Sequence, residues 1–271
     1  MDWSKIKIIF ILTFFVLDLV LLVQFIQKRT SNQWELMAVT SLDDRLEADK
    51  ITYTNLPKEP TKESYITGKS REFKEEELRT LKNQYATLSD SNTIISKFKD
   101  PIVLPKNDKG YYFDEFLRTY VIDGAKYKYW NTDEKEKKIY FFQQYQTKNI
   151  FYNKNAALVV DLNDKNEIVS YTQTMLSDVT DMGGSNTQED IITSAKALET
   201  LYLKNQIAAG SKITKVEIGY YTVVIPSSLG VQVIAPTWHF VVNNESDYFV
   251  NAIEGQVIKN GKDGTQWSEV K

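Results

Sequence analysis

The chain has no cysteine and a single histidine, His239. The first absence excludes disulfide staples and cysteine-bound zinc. The second leaves any Ser-His-Asp arrangement with one base to draw on. Of 271 residues, 33 are Lys or Arg and 36 are Asp or Glu. No basic excess exists to neutralise phosphates, so nucleic acid is not an expected partner. The imbalance sharpens past residue 29, where 29 basic and 34 acidic residues leave a net charge of −5. Nucleophile-elbow, P-loop and zinc-protease motifs are missing as well. Gly183, Gly184 and Ser185 follow no strand of the kind a phosphate cradle needs and read as a flexible loop. Carboxylate pairs such as Asp43 with Asp44, or Asp178 with Asp181, could serve glycoside hydrolysis. A chain this rich in carboxylates produces such pairs by chance. His239 sits between Trp238 and Phe240 in an expected strand and reads as structural. No catalytic set, metal or cofactor is expected.

What is present begins with an apolar run from Ile8 to Phe25, broken only by Thr13, Asp18 and Gln24. With Ile26 it matches the ~20 residues a helix needs to cross a bilayer. A cleaved signal peptide fits less well, because its apolar region is shorter and ends at small residues. This run exits into Gln27, Lys28, Arg29, Thr30, Ser31 and Asn32. Lys5 and Lys7 face Lys28 and Arg29 across it, so charge alone does not orient it. No second apolar run is long enough to span, which favours a cytoplasmic N-terminus (1–7), a transmembrane helix (8–26) and an extracellular remainder. Asp18 is costly at mid-bilayer, and such residues usually face a partner helix. It shares a stripe with Ile11, Phe14, Leu21 and Phe25, while Thr13 and Gln24 fall on another face. Asp18, Thr13, Gln24 and Phe14 are therefore the expected contacts within the membrane.

Beyond the anchor the pattern is α+β, with helices packed on antiparallel sheets. Two domains are expected, 30–108 and 109–271, divided where Pro101, Pro105 and Lys106 to Gly110 interrupt the pattern. Residues 41–50 read as a helix, 51–54 as a strand, 56–62 as a loop and 65–67 as a strand. Leu78, Leu81, Tyr85 and Leu88 make one stripe and predict a helix over 74–88. A helix near 113–121, stopped by Gly124, precedes strands at 126–130, 138–146, 156–161 and 167–175. The outline then repeats. Thr187 with Asp190 suggests a cap for a helix reaching about Gln206, with Ile191, Ala195, Leu198 and Tyr202 on one face. Strands at 213–224, 234–243, 248–253 and 256–258 follow.

Residues 111–152 hold 14 of the chain's 34 Phe, Trp and Tyr. That is more than one small sheet face buries, and Tyr and Trp favour interfaces. Tyr127, Tyr129, Trp130, Tyr140, Phe142 and Tyr145 are the candidate ectodomain contacts.

The start Met1, Asp2, Trp3, Ser4, Lys5, running straight into the apolar anchor, resembles that of YycI (WalI) proteins. Asp44 to Ile51 with the Pro-containing loop after it, and the expected long helix to Leu88, are similar too. The strand bearing Trp238 and Val242, then Tyr248, Val250, Ala252, Gly255 and Val257, resembles a PepSY-like ending, with Asn251 where an Asp is common. The resemblance implies a single-pass membrane protein of Gram-positive bacteria that is regulatory, not catalytic. It implies action with YycH (WalH) on the sensor histidine kinase YycG (WalK), in control of cell-wall homeostasis. An anchored cell-wall hydrolase and an extracellular protease-inhibiting or ligand-sensing module are the alternatives.

Overall fold

The computed structural model describes residues 7, 10–22, 42–104, 109–184, 187–224 and 230–258. The chain divides into two compact units, one of residues 1–52 with 208–212, the other of 53–207 with 213–271. In the first, residues 10–22 and 42–48 are helical. Leu42 and Leu46, one turn apart, are both buried. The second of these helices ends at Lys50 in the left-handed region, φ +56°, a common way for a helix to stop. Gly210 then donates its N–H to the Asp49 carbonyl at 2.8 Å, and Thr52 to that of Ser211 at 3.0 Å.

The larger unit is mostly sheet. Its strands are β1 (Thr52–Tyr53), shared with the first unit's boundary, β2 (Lys62–Glu63), β3 (Ile66–Ser70), β4 (Gln84–Asp90) and β5 (Thr93–Val103). Next come β6 (Tyr127–Asp133), β7 (Lys138–Tyr145), β8 (Lys148–Phe151), β9 (Ala157–Leu162), β10 (Glu167–Gln173) and β11 (Leu176–Asp181). Last are β12 (Glu189–Asp190), β13 (Lys212–Val224), β14 (Gln232–Val242), β15 (Ser246–Asn251) and β16 (Val257–Ile258). One hydrogen-bonded path runs β11-β3-β14-β13-β8-β7-β9-β10-β5-β4, with β6 beside β7, β15 beside β14, and β16 beside β15. The pairings along that path and those of β6, β15 and β16 are antiparallel except at β8 and β13, which run parallel through Ile150 with Tyr220 and Phe151 with Tyr221. That short parallel joint links two antiparallel regions.

Among the described residues each region carries one helix of ten residues or more, so the helix-then-meander outline read twice in the sequence is present twice. Helix Lys109–Tyr120 places Phe113, Phe116 and Leu117 at i, i+3 and i+4, against Ile94, Phe98, Phe141 and Tyr171 of the first region. Burying each such ring is worth roughly 1.5–3 kcal/mol. Gly124 follows because a Cβ there would meet the Leu117 carbonyl oxygen at 1.8 Å. Helix Ser194–Leu203 buries Ala197, Leu198 and Leu201, and the Trp238 indole donates to the Ile192 carbonyl just before it at 2.8 Å.

Two expected helices are corrected. Between 74 and 88 only Glu75–Leu78 is helical; the chain turns at Asn83, φ +59°, and continues as β4. Ala86 and Leu88 alternate inward in that strand, while Tyr85 points out under the Lys99 ammonium. The later helix starts at Ser194, not near Thr187, because Glu189 and Asp190 pair with Glu63 and Lys62 and Ile191 donates to the Thr61 carbonyl. Its buried face shifts accordingly from Ile191, Ala195 and Tyr202 to Ala197 and Leu201. The expected boundary near residue 108 runs through the sheet: β3 pairs with β14 and β5 with β10.

Candidate functional site

The aromatic-rich stretch distributes its rings over both faces of the first region. Tyr127 and Tyr129 on β6 point toward helix Lys109–Tyr120, where Tyr129 stacks on Phe113 at 4.8 Å. The register slips between Tyr129, opposite Phe141, and Asn131, opposite Tyr140, so Trp130 is the extra residue of a bulge. Bulges re-aim side chains, and this one sends Trp130 to the far face, 5.0 Å from Phe142 and 5.5 Å from Phe151. There Phe142, Phe151, Tyr221 and Phe249 form a buried cluster joining the two regions.

His239 stands at the edge of that cluster. It is 1% exposed, stacked on Phe249 at 4.8 Å and 14°, and flanked by Trp130 and Phe151, each 5.1 Å away. Strand register supplies its polar partners. Glu217 on β13 lies directly opposite His239, and Asp247 on β15 lies opposite Val241, one diagonal step away. Nδ1 is 3.1 Å from Glu217 Oε1, and Nε2 is 2.8 Å from Asp247 Oδ1. Burial pushes the Glu217 carboxyl up, but hydrogen bonds from His239 and Lys215 outweigh it and hold the group below its ordinary range. Burial, then the Asp247 charge, raises the Tyr152 phenol well above its ordinary value. Above this floor opens a groove of about 480 Å³, lined by Lys128, Trp130, Lys215, Glu217, His239 and Asp247 among others. It is polar and carries both signs of charge.

The six expected ectodomain contacts separate on burial. Tyr127 and Phe142, 2% and 1% exposed, are core residues. The Tyr127 hydroxyl donates to the Thr174 carbonyl at 2.5 Å, and Phe142 packs in the cluster between regions. Trp130 lines the groove, and Tyr129 borders it with its ring stacked on Phe113 on the helix side. Tyr140 is half-buried and donates to Glu136 at 3.2 Å. Tyr145 donates to Asp181 at 3.2 Å, beside a buried ion pair of Glu63 with Lys148 that also accepts the Tyr220 hydroxyl at 3.0 Å. Sequence reading missed Glu217 and Asp247. The available signal was the register that any hairpin through His239 imposes.

The membrane candidates fall in the helical residues 10–22, where Thr13, Phe14 and Asp18 are exposed, as are all their neighbours in that helix. Gln24 lies outside the described residues. Among the described residues no helix is long and apolar enough to cross a membrane, and none of their His, Asp and Glu side chains form a group of three that could hold a metal.

The model of the YycI protein family matches residues 31–253. The chain belongs to the YycI family. That family regulates the YycFG two-component system and is regulatory rather than enzymatic. Among solved structures, an uncharacterized protein from Eubacterium rectale is 11% identical, with 78% of this chain and 91% of that one covered at a TM-score of 0.43. The YpeB C-terminal domain from Bacillus megaterium is 10% identical, with coverages of 71% and 87% and a TM-score of 0.35. No curated protein matches.

Proposed function

We propose that this YycI-family chain is a single-pass membrane protein that biases the sensor kinase YycG (WalK), acting together with YycH (WalH). Residues 8–26 cross the bilayer, 1–7 are cytoplasmic, and the sheet-rich part is outside. The observation that carries this reading is the helix at 10–22, apolar and exposed on every side apart from Thr13 and Asp18. A helix apolar all round belongs in a core or a membrane. Family membership supplies the system it acts on.

A helix that packs differently against two signalling states of a kinase bundle shifts their ratio by its differential binding energy. About 1.4 kcal/mol changes that ratio tenfold. Asp18, with Thr13, Phe14 and Gln24, supplies the contact, and ectodomain association through Tyr129, Trp130 and the partly exposed Tyr140 and Tyr145 holds the helix in place. Site-specific cross-linking from the helix to the kinase in cells tests this, with kinase-dependent transcription read in parallel. Asp18→Leu is expected to lose both; retention of both would remove Asp18 from the mechanism.

The groove favours a second reading, a ligand-sensing module, for which saturable binding to the ectodomain is the test. Hydrolysis fares worse. Both nitrogens of His239 are taken by carboxylates, leaving no ring nitrogen to activate a nucleophile.

A further inference from the structure

His239 is the chain's one histidine, and its surroundings prescribe a proton count. An ionised carboxylate only accepts hydrogen bonds, whereas a neutral imidazole has one donor and one acceptor nitrogen. With Glu217 on Nδ1 and Asp247 on Nε2, both as carboxylates, both contacts are hydrogen bonds only when both ring nitrogens donate, which only the imidazolium does. The neutral ring would turn a lone pair toward one of the carboxylates. The stacked Phe249 ring, with Trp130 and Phe151 at 5.1 Å, also suits a cation.

The charged groups around the ring come from every element packed on it. β13 brings Glu217, itself paired with Lys215 at 2.8 Å. β15 brings Asp247, which the Tyr152 hydroxyl approaches to 3.5 Å from the end of β8. β6 brings Lys128, and the turn before β15 brings Glu245, both on the groove wall. Glu217, His239 and Asp247 thus tie three adjacent strands of the second region, and the same ring touches Trp130 of the first.

We propose that His239 is a proton-operated clasp: protonated, it fixes the groove floor and the Trp130 rim, and on losing the proton it releases one carboxylate and loosens the rim. The imidazole takes up and gives back a single proton, so the shape of the groove is tied to that proton. The clasp works whether the groove takes a ligand or a partner, and it is independent of how residues 10–22 are used.

The single histidine makes the test direct. Full-length protein in lipid nanodiscs, labelled with ¹³C and ¹⁵N at histidine and ¹⁵N at tryptophan, gives one imidazole to follow. The expected result is two protonated ring nitrogens at the acid end of a pH series, conversion to a neutral tautomer as pH is raised, and a concerted shift of the Trp130 indole signal, identified with Trp130→Phe. Asp247→Asn is expected to favour the neutral ring, since an opposing charge is removed. A ring that keeps one protonation state from pH 5 to 9, or a conversion that leaves Trp130 unmoved, overturns the clasp. The unsubstituted protein decides this even where Asp247→Asn fails to fold.

Discussion

At Gly219 on β13 a Cβ would meet Phe151 at 2.3 Å and the Asn149 carbonyl oxygen at 2.6 Å. The parallel joint between β8 and β13 passes through this point, so the strands touch because a side chain is missing. Gly219→Ala is expected to cost about 1–3 kcal/mol, the usual range for overpacking, measured as a lower urea midpoint with an unchanged slope. Glu217 offers a second test. Its folded pKa is lowered, so its contribution is complete above the ordinary carboxylate range and is lost as pH falls through the folded value. Glu217→Gln should flatten the acid limb of the stability profile; an acid limb as steep as that of the unsubstituted protein would show that other carboxylates set it. His239 is buried with both ring nitrogens against carboxylates. Its partners were hidden because they lie on neighbouring strands, and sequence order does not reveal register until the turns are known.

For whole elements, the helix Ser194–Leu203 separates a capping rule from its location. Thr193 accepts the Lys196 N–H at 3.2 Å and is the cap. The Thr187 hydroxyl instead donates within its own loop, to the Met182 and Gly184 carbonyls at 2.7 Å. Thr193→Ala is expected to cost about 1 kcal/mol, and Thr187→Ala to leave the helical circular-dichroism signal unaltered. Composition pointed to a capped helix here; where it starts was set by β12, a two-residue pairing with distant β2 that no local pattern announces. β5 was obscured by Pro101. That residue lies past Phe98, where pairing with β4 ends, so its missing N–H interrupts no bond to that neighbour. The stripe at Leu78, Leu81, Tyr85 and Leu88 satisfied helical spacing, yet inward alternation at Gln84, Ala86 and Leu88 satisfied a strand equally well. Pairing with β5 decided between them.

Across the larger unit, the two helix-and-meander regions meet through rings, chiefly Phe142, Phe151 and Phe249. Phe151→Ala is expected to cost about 3–5 kcal/mol and to unfold both regions in one transition; two separated transitions would show that they fold independently. The doubled outline was legible because in each region most strands pair with a strand near them in the chain, β6 with β7 and β9 with β10 in one, β13 with β14 and β14 with β15 in the other. The joining of early strands to late ones was not, because it depends on distant partners. Ile66 on β3 pairs with Ile234 on β14, so a chain made from its N-terminus leaves that side of β3 unpaired until nearly all of it exists. At about 5–20 residues per second this delay is roughly 10–30 s. Completion of the sheet is therefore a late event in the life of each molecule, and nascent chains halted before β14 should be digested by protease where the finished protein resists.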